Sequence, residues 1–133
     1  MTHYKQTGFS LVLALAFAFV ASIAAHAADK SPFDAAQFAK AQADNKSILV
    51  EVTAPWCPTC KAQKPILEQL TNQSKFKDLK IFEVDFDSRK DVLRDLKVNM
   101  QSTLIVYKGN TELGRSTGDT KESSIAALVD KAL

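Results

Sequence analysis

Histidine, cysteine and glycine are all scarce in this chain of 133 residues, which has two histidines, two cysteines and four glycines. There is no internal repeat or low-complexity tract, and four prolines beside four glycines exclude a collagen-like or linker-rich protein. The apolar run "LVLALAFAFVA", Leu11 to Ala21, falls short of the roughly 18 to 20 residues that a membrane-spanning helix needs. Neither sign of charge dominates: 17 basic residues face 15 acidic ones, interspersed along the chain. A nucleic-acid surface is therefore not expected.

What precedes and follows that apolar run fits an export signal. "MTHYKQTG" carries His3 and Lys5 without an acid, and "AHA" offers Ala25 and Ala27 as the small residues a signal peptidase requires. Cleavage after Ala27 is expected, dividing the chain into a signal peptide, 1–27, and one domain, 28–133; the alternative is a membrane anchor formed by an uncleaved N-terminus. Processing would remove both His3 and His26 and lower the formal charge from +2 to +1. The mature chain would then have no imidazole, which excludes His-assisted nucleophilic catalysis and any His-containing metal site.

Within the domain the periodicities alternate. "SPFDAAQFAKAQAD" predicts a first helix with Ser31 as N-cap and Pro32 in its first turn. "SILVEVTA" is apolar on both faces except at Glu51, the pattern of a central buried strand. Cys57 to about Asn72 predicts a helix interrupted by Pro65, "KIFEVDF" a second strand, and "SRKDVLRDLK" a short helix. "STLIVYKGNTELGRSTG" predicts a hairpin turning at Gly109-Asn110, and "TKESSIAALVDKAL" a last helix capped by Thr120, with Ile125, Leu128 and Val129 on one face. The order implies an α/β domain whose mixed sheet is parallel in one part and ends in an antiparallel hairpin.

The two cysteines stand in "TAPWCPTCKAQKP" with two residues between them. As a staple the pair is a poor design, because closing so short a loop gains the least entropy. As half of a zinc site it lacks its other half, so a metal would have to bridge two copies of the chain. As a redox pair it makes physical sense. Cys57 falls where a strand gives way to a helix, whose free amides and dipole stabilise a thiolate, and Cys60 follows one turn later, within reach to resolve a mixed disulfide. Pro58 is tolerated in the first helical turn, where its missing donor would be unpaired anyway.

With Trp56 before the first cysteine, Lys61 after the second and Pro65 downstream, "ILVEVTAPWCPTCKAQKPIL" resembles the strand, active-site turn and helix of the thioredoxin family. "TLIVYKGNTELGRSTG" resembles the family's terminal hairpin, with Gly118 where it has a glycine before the last helix. The resemblance covers nearly all of residues 28–133. It implies a thioredoxin-like fold, a central mixed sheet flanked by helices, with Cys57 as attacking thiol and Cys60 as resolving thiol. It also implies that Pro58-Thr59 replaces the usual Gly-Pro pair of the active-site turn.

Glu51 stands where many thioredoxins carry a buried acid that exchanges protons with the second cysteine. Independently, a carboxyl in a central strand is desolvated, so its pKa rises and it becomes an acid or base near neutrality; the alternative is a side chain that merely reaches solvent or a hydrogen bond. Glu83 falls where thioredoxins often place a lysine facing that acid. Two facing carboxylates would couple, whereas alternation along "IFEVDF" fits Glu83 and Asp85 on a solvated face equally well. The main departure is the substrate-docking loop, Gln101, Ser102 and Thr103, where Ser102 replaces the family's cis-proline. That loop is either trans and reshaped or cis under strain, and its hydroxyl could bond a thiolate or approach a metal.

The expectation is therefore an exported thiol-disulfide oxidoreductase, periplasmic by its cysteine usage, with no cofactor beyond its own Cys57-Cys60 disulfide. Reductase is the favoured direction. The expected partners are protein thiols or disulfides and a membrane electron donor, with no nucleic acid, and the chain is expected to be a monomer. The alternative is a metal-bridged dimer or metal-handling binding protein on the same fold.

Overall fold

The computed structural model describes Met1 and residues 27–133; the predicted export run and both histidines lie outside the described residues. The elements are β1 (Asp29–Pro32), α1 (Ala35–Ala43), β2 (Ser47–Thr53), α2 (Pro58–Thr71), β3 (Lys80–Asp85), α3 (Lys90–Asp95), β4 (Thr103–Lys108), β5 (Thr111–Thr117) and α4 (Glu122–Asp130), with a 3-10 turn at Ser74–Phe76. Among the described residues no helix is long and apolar enough to cross a membrane.

The strand that is apolar on both faces does become the centre. The sheet has five strands in the order β1-β3-β2-β4-β5, with β1, β3 and β2 parallel and β4 and β5 antiparallel additions. Because side chains alternate along a strand, β2 supplies both layers of core. Ile48, Val50 and Val52 pack with Phe33, Phe38, Phe82 and Val92 on the face covered by α1 and α3. Leu49 packs with Leu67, Leu70, Ile125 and Val129 under α2 and α4. Glu51 shares the parity of Leu49, so it points under α2, toward the cysteines.

Three sequence expectations need correction. Ser31 and Pro32 do not start a helix: residues 29–32 pair with β3 as a parallel edge strand, consistent with the extended bias of a residue before proline. The N-cap of α1 is Asp34, whose Oδ1 accepts from the Gln37 amide at 2.8 Å, as a carboxylate at that position does well. Pro65 does not interrupt α2, which runs from Pro58 to Thr71 with the proline inside it, since one missing amide does not outweigh the burial of Leu67 and Leu70. Thr120 does not cap α4. Lys121 stands at the N-cap without a side-chain cap bond, and Asp119 just before it accepts from the Lys121 amide at 2.9 Å and from the Ser124 hydroxyl.

The hairpin turns at Gly109-Asn110 as the sequence indicates. Gly109 has φ +54°, and a Cβ there would lie 2.6 Å from Asn45 Oδ1, so both conformation and space call for glycine.

Candidate active site

The chain leaves β2 at Thr53 and turns into α2 through a bond from the Cys57 amide to the Ala54 carbonyl, 3.1 Å. Cys57 is itself the N-cap of α2: its backbone is extended, and its Sγ accepts from the Cys60 amide at 3.0 Å. Pro58 is the first helical residue, and no acid occupies the first turn. The amides and the positive end of the helix thus converge on the Cys57 sulfur, an environment that lowers a thiol's pKa in the reduced form.

The two cysteines are joined as a disulfide with Cα atoms 5.3 Å apart. Cys57 is fully buried, Cys60 is 8% exposed, and both cluster with Ala54, against which Phe86 packs. A client therefore reaches Cys57 only when neighbouring side chains move. Trp56 lies outside, 54% exposed, and its Nε1 donates to Asp87 Oδ2 at 2.7 Å. Pro58 and Lys61 are exposed beside the disulfide in sequence, Thr59 is half-buried, and Pro65 is exposed within α2.

Behind the disulfide, Cys60 and Glu51 line one cavity of about 530 Å³ together with Lys30, Lys61, Lys64 and Glu83. Glu51 is buried, and its Oε2 accepts from Lys30 Nζ at 2.6 Å. Glu83 is the direct register partner of Glu51 across β2 and β3, and it meets the same ammonium at 2.9 Å. The facing pair of acids is therefore real, but a lysine from β1 bridges it. Burial raises the Glu51 pKa above the ordinary 4.5; the Lys30 hydrogen bond and charge oppose that rise, while the Glu83 charge adds to it. Burial works against the Lys30 charge, but the bonds and charges of Glu51 and Glu83 outweigh it and raise its pKa. Glu51 thus holds a proton more readily than a free carboxyl does, in a cavity it shares with Cys60.

On the other side lies the loop of Gln101, Ser102 and Thr103. The peptide bonds of the described residues are all trans, and Ser102 has φ +57°, so the loop is trans and reshaped. Ser102 is buried, its amide donates to the Val52 carbonyl at 2.8 Å, and its hydroxyl donates to the Gln101 carbonyl at 2.6 Å. That hydroxyl is engaged with its own backbone and is not committed to a sulfur or a metal. Thr103 opens β4, its hydroxyl bonded to the Met100 carbonyl and to Thr117. Among the described residues no three His, Cys, Asp or Glu side chains are gathered as metal ligands.

Sequence reasoning missed two residues that hold this site. Lys30 precedes the segment predicted as the first helix, and no local pattern marks it as reaching across β3. Gln63 left a readable sign, a polar residue on the buried stripe of Cys60 and Leu67. It is 3% exposed, and its Nε2 donates to the carbonyls of Ser102 at 3.1 Å and Asp119 at 2.8 Å, tying α2 to the docking loop and to the entry of α4.

Comparison with known proteins agrees with this geometry. Residues 29–131 match the family model described as Thioredoxin. The chain is 33% identical over 99 residues to "Thioredoxin" of Mus musculus, covering 74% of this chain and 92% of that one. The crystal structure of Trxlp from Edwardsiella tarda EIB202 superimposes with a TM-score of 0.74 at 40% identity, covering 76% of this chain and 98% of its own. The Malassezia sympodialis thioredoxin structure, at 17% identity, TM-score 0.70 and coverage of 80% and 91%, shares the fold.

Proposed function

Because this chain belongs to the thioredoxin family and is a thiol-disulfide oxidoreductase acting on protein disulfides, we propose that it works outside the cytosol as a reductase. The observation that carries the reading is the placement of Cys57 at the amide end of α2, paired with Cys60, which shares a cavity with the proton-retaining Glu51. In the forward cycle the Cys57 thiolate attacks a client disulfide, forms a bond to one client sulfur and releases the other as a thiolate. Cys60 then loses its proton and attacks the Cys57 sulfur, so the second client thiol leaves and the Cys57-Cys60 disulfide forms. The client gains two electrons and the protein loses two. Glu51 takes the Cys60 proton and passes it out through the shared cavity.

The docking loop of Gln101, Ser102 and Thr103 lines the client beside Cys57, with Trp56 at the rim. Recharging the disulfide outside the cytosol calls for a membrane electron donor, and the protein acts as a monomer after cleavage behind Ala27. Reduction of a protein disulfide by the purified protein with a chemical dithiol as donor tests the cycle. Cys57→Ser is expected to bring turnover to background, and Cys60→Ser to trap the client as a mixed disulfide. Turnover that survives in Cys57→Ser contradicts the reading. The mass of the exported form, expected to begin at Ala28, tests the processing.

A further inference from the structure

Phe86, which packs against the cluster of Ala54, Cys57 and Cys60, also lines a groove of about 530 Å³ beside α3. Leu93 and Val98 complete its apolar floor, and its rim is Lys90, Arg94 and Lys97. Lys90 and Arg94 stand four apart on one face of α3, beside buried Leu93, and Lys97 follows just past the helix end. No carboxylate lines the groove.

The charge of this rim is not neutralised from nearby. Among the described residues none of the three cations forms an ion pair, whereas Arg89 is paired with Asp91 and Arg115 with Glu112. Lys90 Nζ lies 3.9 Å from the centroid of the Phe86 ring, which holds its charge over the groove mouth. Asp85 feels the Lys90 charge and Glu112 that of Lys97, but each is bonded elsewhere, to Ser88 and to Arg115. Asp95 lies on α3 outside the groove lining.

The backbone adds a second observation. Lys97 has φ +55°, the left-handed position just past a helix end where glycine is favoured, and the Val98 amide bonds back to the Leu93 carbonyl at 2.8 Å. Arg115 fixes the same corner through the carbonyls of Leu96 and Lys97, at 3.2 and 3.3 Å. A lysine thus stands where the backbone conformation disfavours any side chain, and its ammonium joins the rim of the groove.

We propose that this groove docks an extended, acidic segment of the client, flanking the disulfide being reduced, and so selects clients by charge. The inference deepens the reductase reading and rests on it for the identity of the occupant. It is tested without redox chemistry, by amide shifts of the purified oxidised protein with a short cysteine-free peptide of glutamates around a central leucine. A lysine version of the peptide serves as its counterpart.

The acidic peptide is expected to shift the amides of residues 86 to 99 and to bind about tenfold or more tightly than the basic one at low salt, a preference that salt erodes. In the combined variant Lys90→Glu, Arg94→Glu, Lys97→Glu the preference is expected to invert. Equal binding of the two peptides, or shifts confined to other surfaces, overturns the proposal. Selective binding at this groove by a protein that reduces no client disulfide supports the groove and removes the reductase reading, so the two fail separately.

Discussion

The two flanks of the disulfide are built on opposite principles. On the Cys60 side the charges are matched: buried Glu51 and half-exposed Glu83 share Lys30, and all three line one cavity. On the Cys57 side Trp56 is exposed, at 54%, and among the described residues Lys90, Arg94 and Lys97 of the nearby groove form no ion pair. A matched cluster around a buried carboxyl retains a proton and gains little from further binding. An unmatched, exposed one attracts a partner. The difference supports the proposed division, with proton handling on the first flank and client docking on the second.

The strongest way to break this division is at the docking loop. Ser102→Pro would place the family's usual residue in a backbone with φ +57°, which proline cannot adopt, and would delete the amide that donates to Val52. Destabilisation of about 3 kcal/mol is expected in urea unfolding, together with loss of client turnover. A variant as stable as the parent would mean that the loop can return to a proline geometry, and that the second flank is less fixed than its hydrogen bonds indicate.

The next test sharpens the first flank. Because burial raises the Glu51 pKa, the folded protein binds that proton more tightly than the unfolded chain does. The corresponding stability is complete below the ordinary value of 4.5 and is lost as pH rises through the raised value. Glu51→Gln is therefore expected to gain on the parent as pH climbs from about 4.5 toward neutrality, by about 1.4 kcal/mol for each tenfold by which folding tightens the proton. Urea unfolding across that range reads it directly. A constant difference between parent and variant would remove Glu51 from the proton-handling role. In the same series, Lys30→Met should raise the Glu51 titration further, since it removes the opposing hydrogen bond and charge while Glu83 remains.

The smallest effect separates strain from recognition. Lys97→Gly relieves the left-handed position and is expected to stabilise the protein by up to about 1 kcal/mol while weakening the preference for acidic peptides. Stability and recognition moving in the same direction would argue that the lysine is kept for packing.

Most of this architecture was legible in the sequence, and the misses share a cause. The central strand, the hairpin at Gly109-Asn110 and the buried stripe of α4 were readable because burial imposes a local period on them. The edge strand β1 carries no such period, since its four residues form a strand only through pairing with β3. Lys30 was lost with it, and so was the correct partner of Glu51. The cysteines, Trp56 and Glu51 were legible from type and spacing. The basic groove was not, because Phe86 and residues 90, 94 and 97 become one surface only after α3 folds against the sheet.

The central claim is that the Cys57-Cys60 pair runs as a reductant, and its reduction potential is the most direct test. Titration of the purified protein in defined thiol-disulfide buffers should give a value near the thioredoxin reference of about −270 mV. A value near the roughly −120 mV of a strong periplasmic oxidant would contradict the account, making the protein a disulfide donor and leaving Glu51 without a part in reductive turnover.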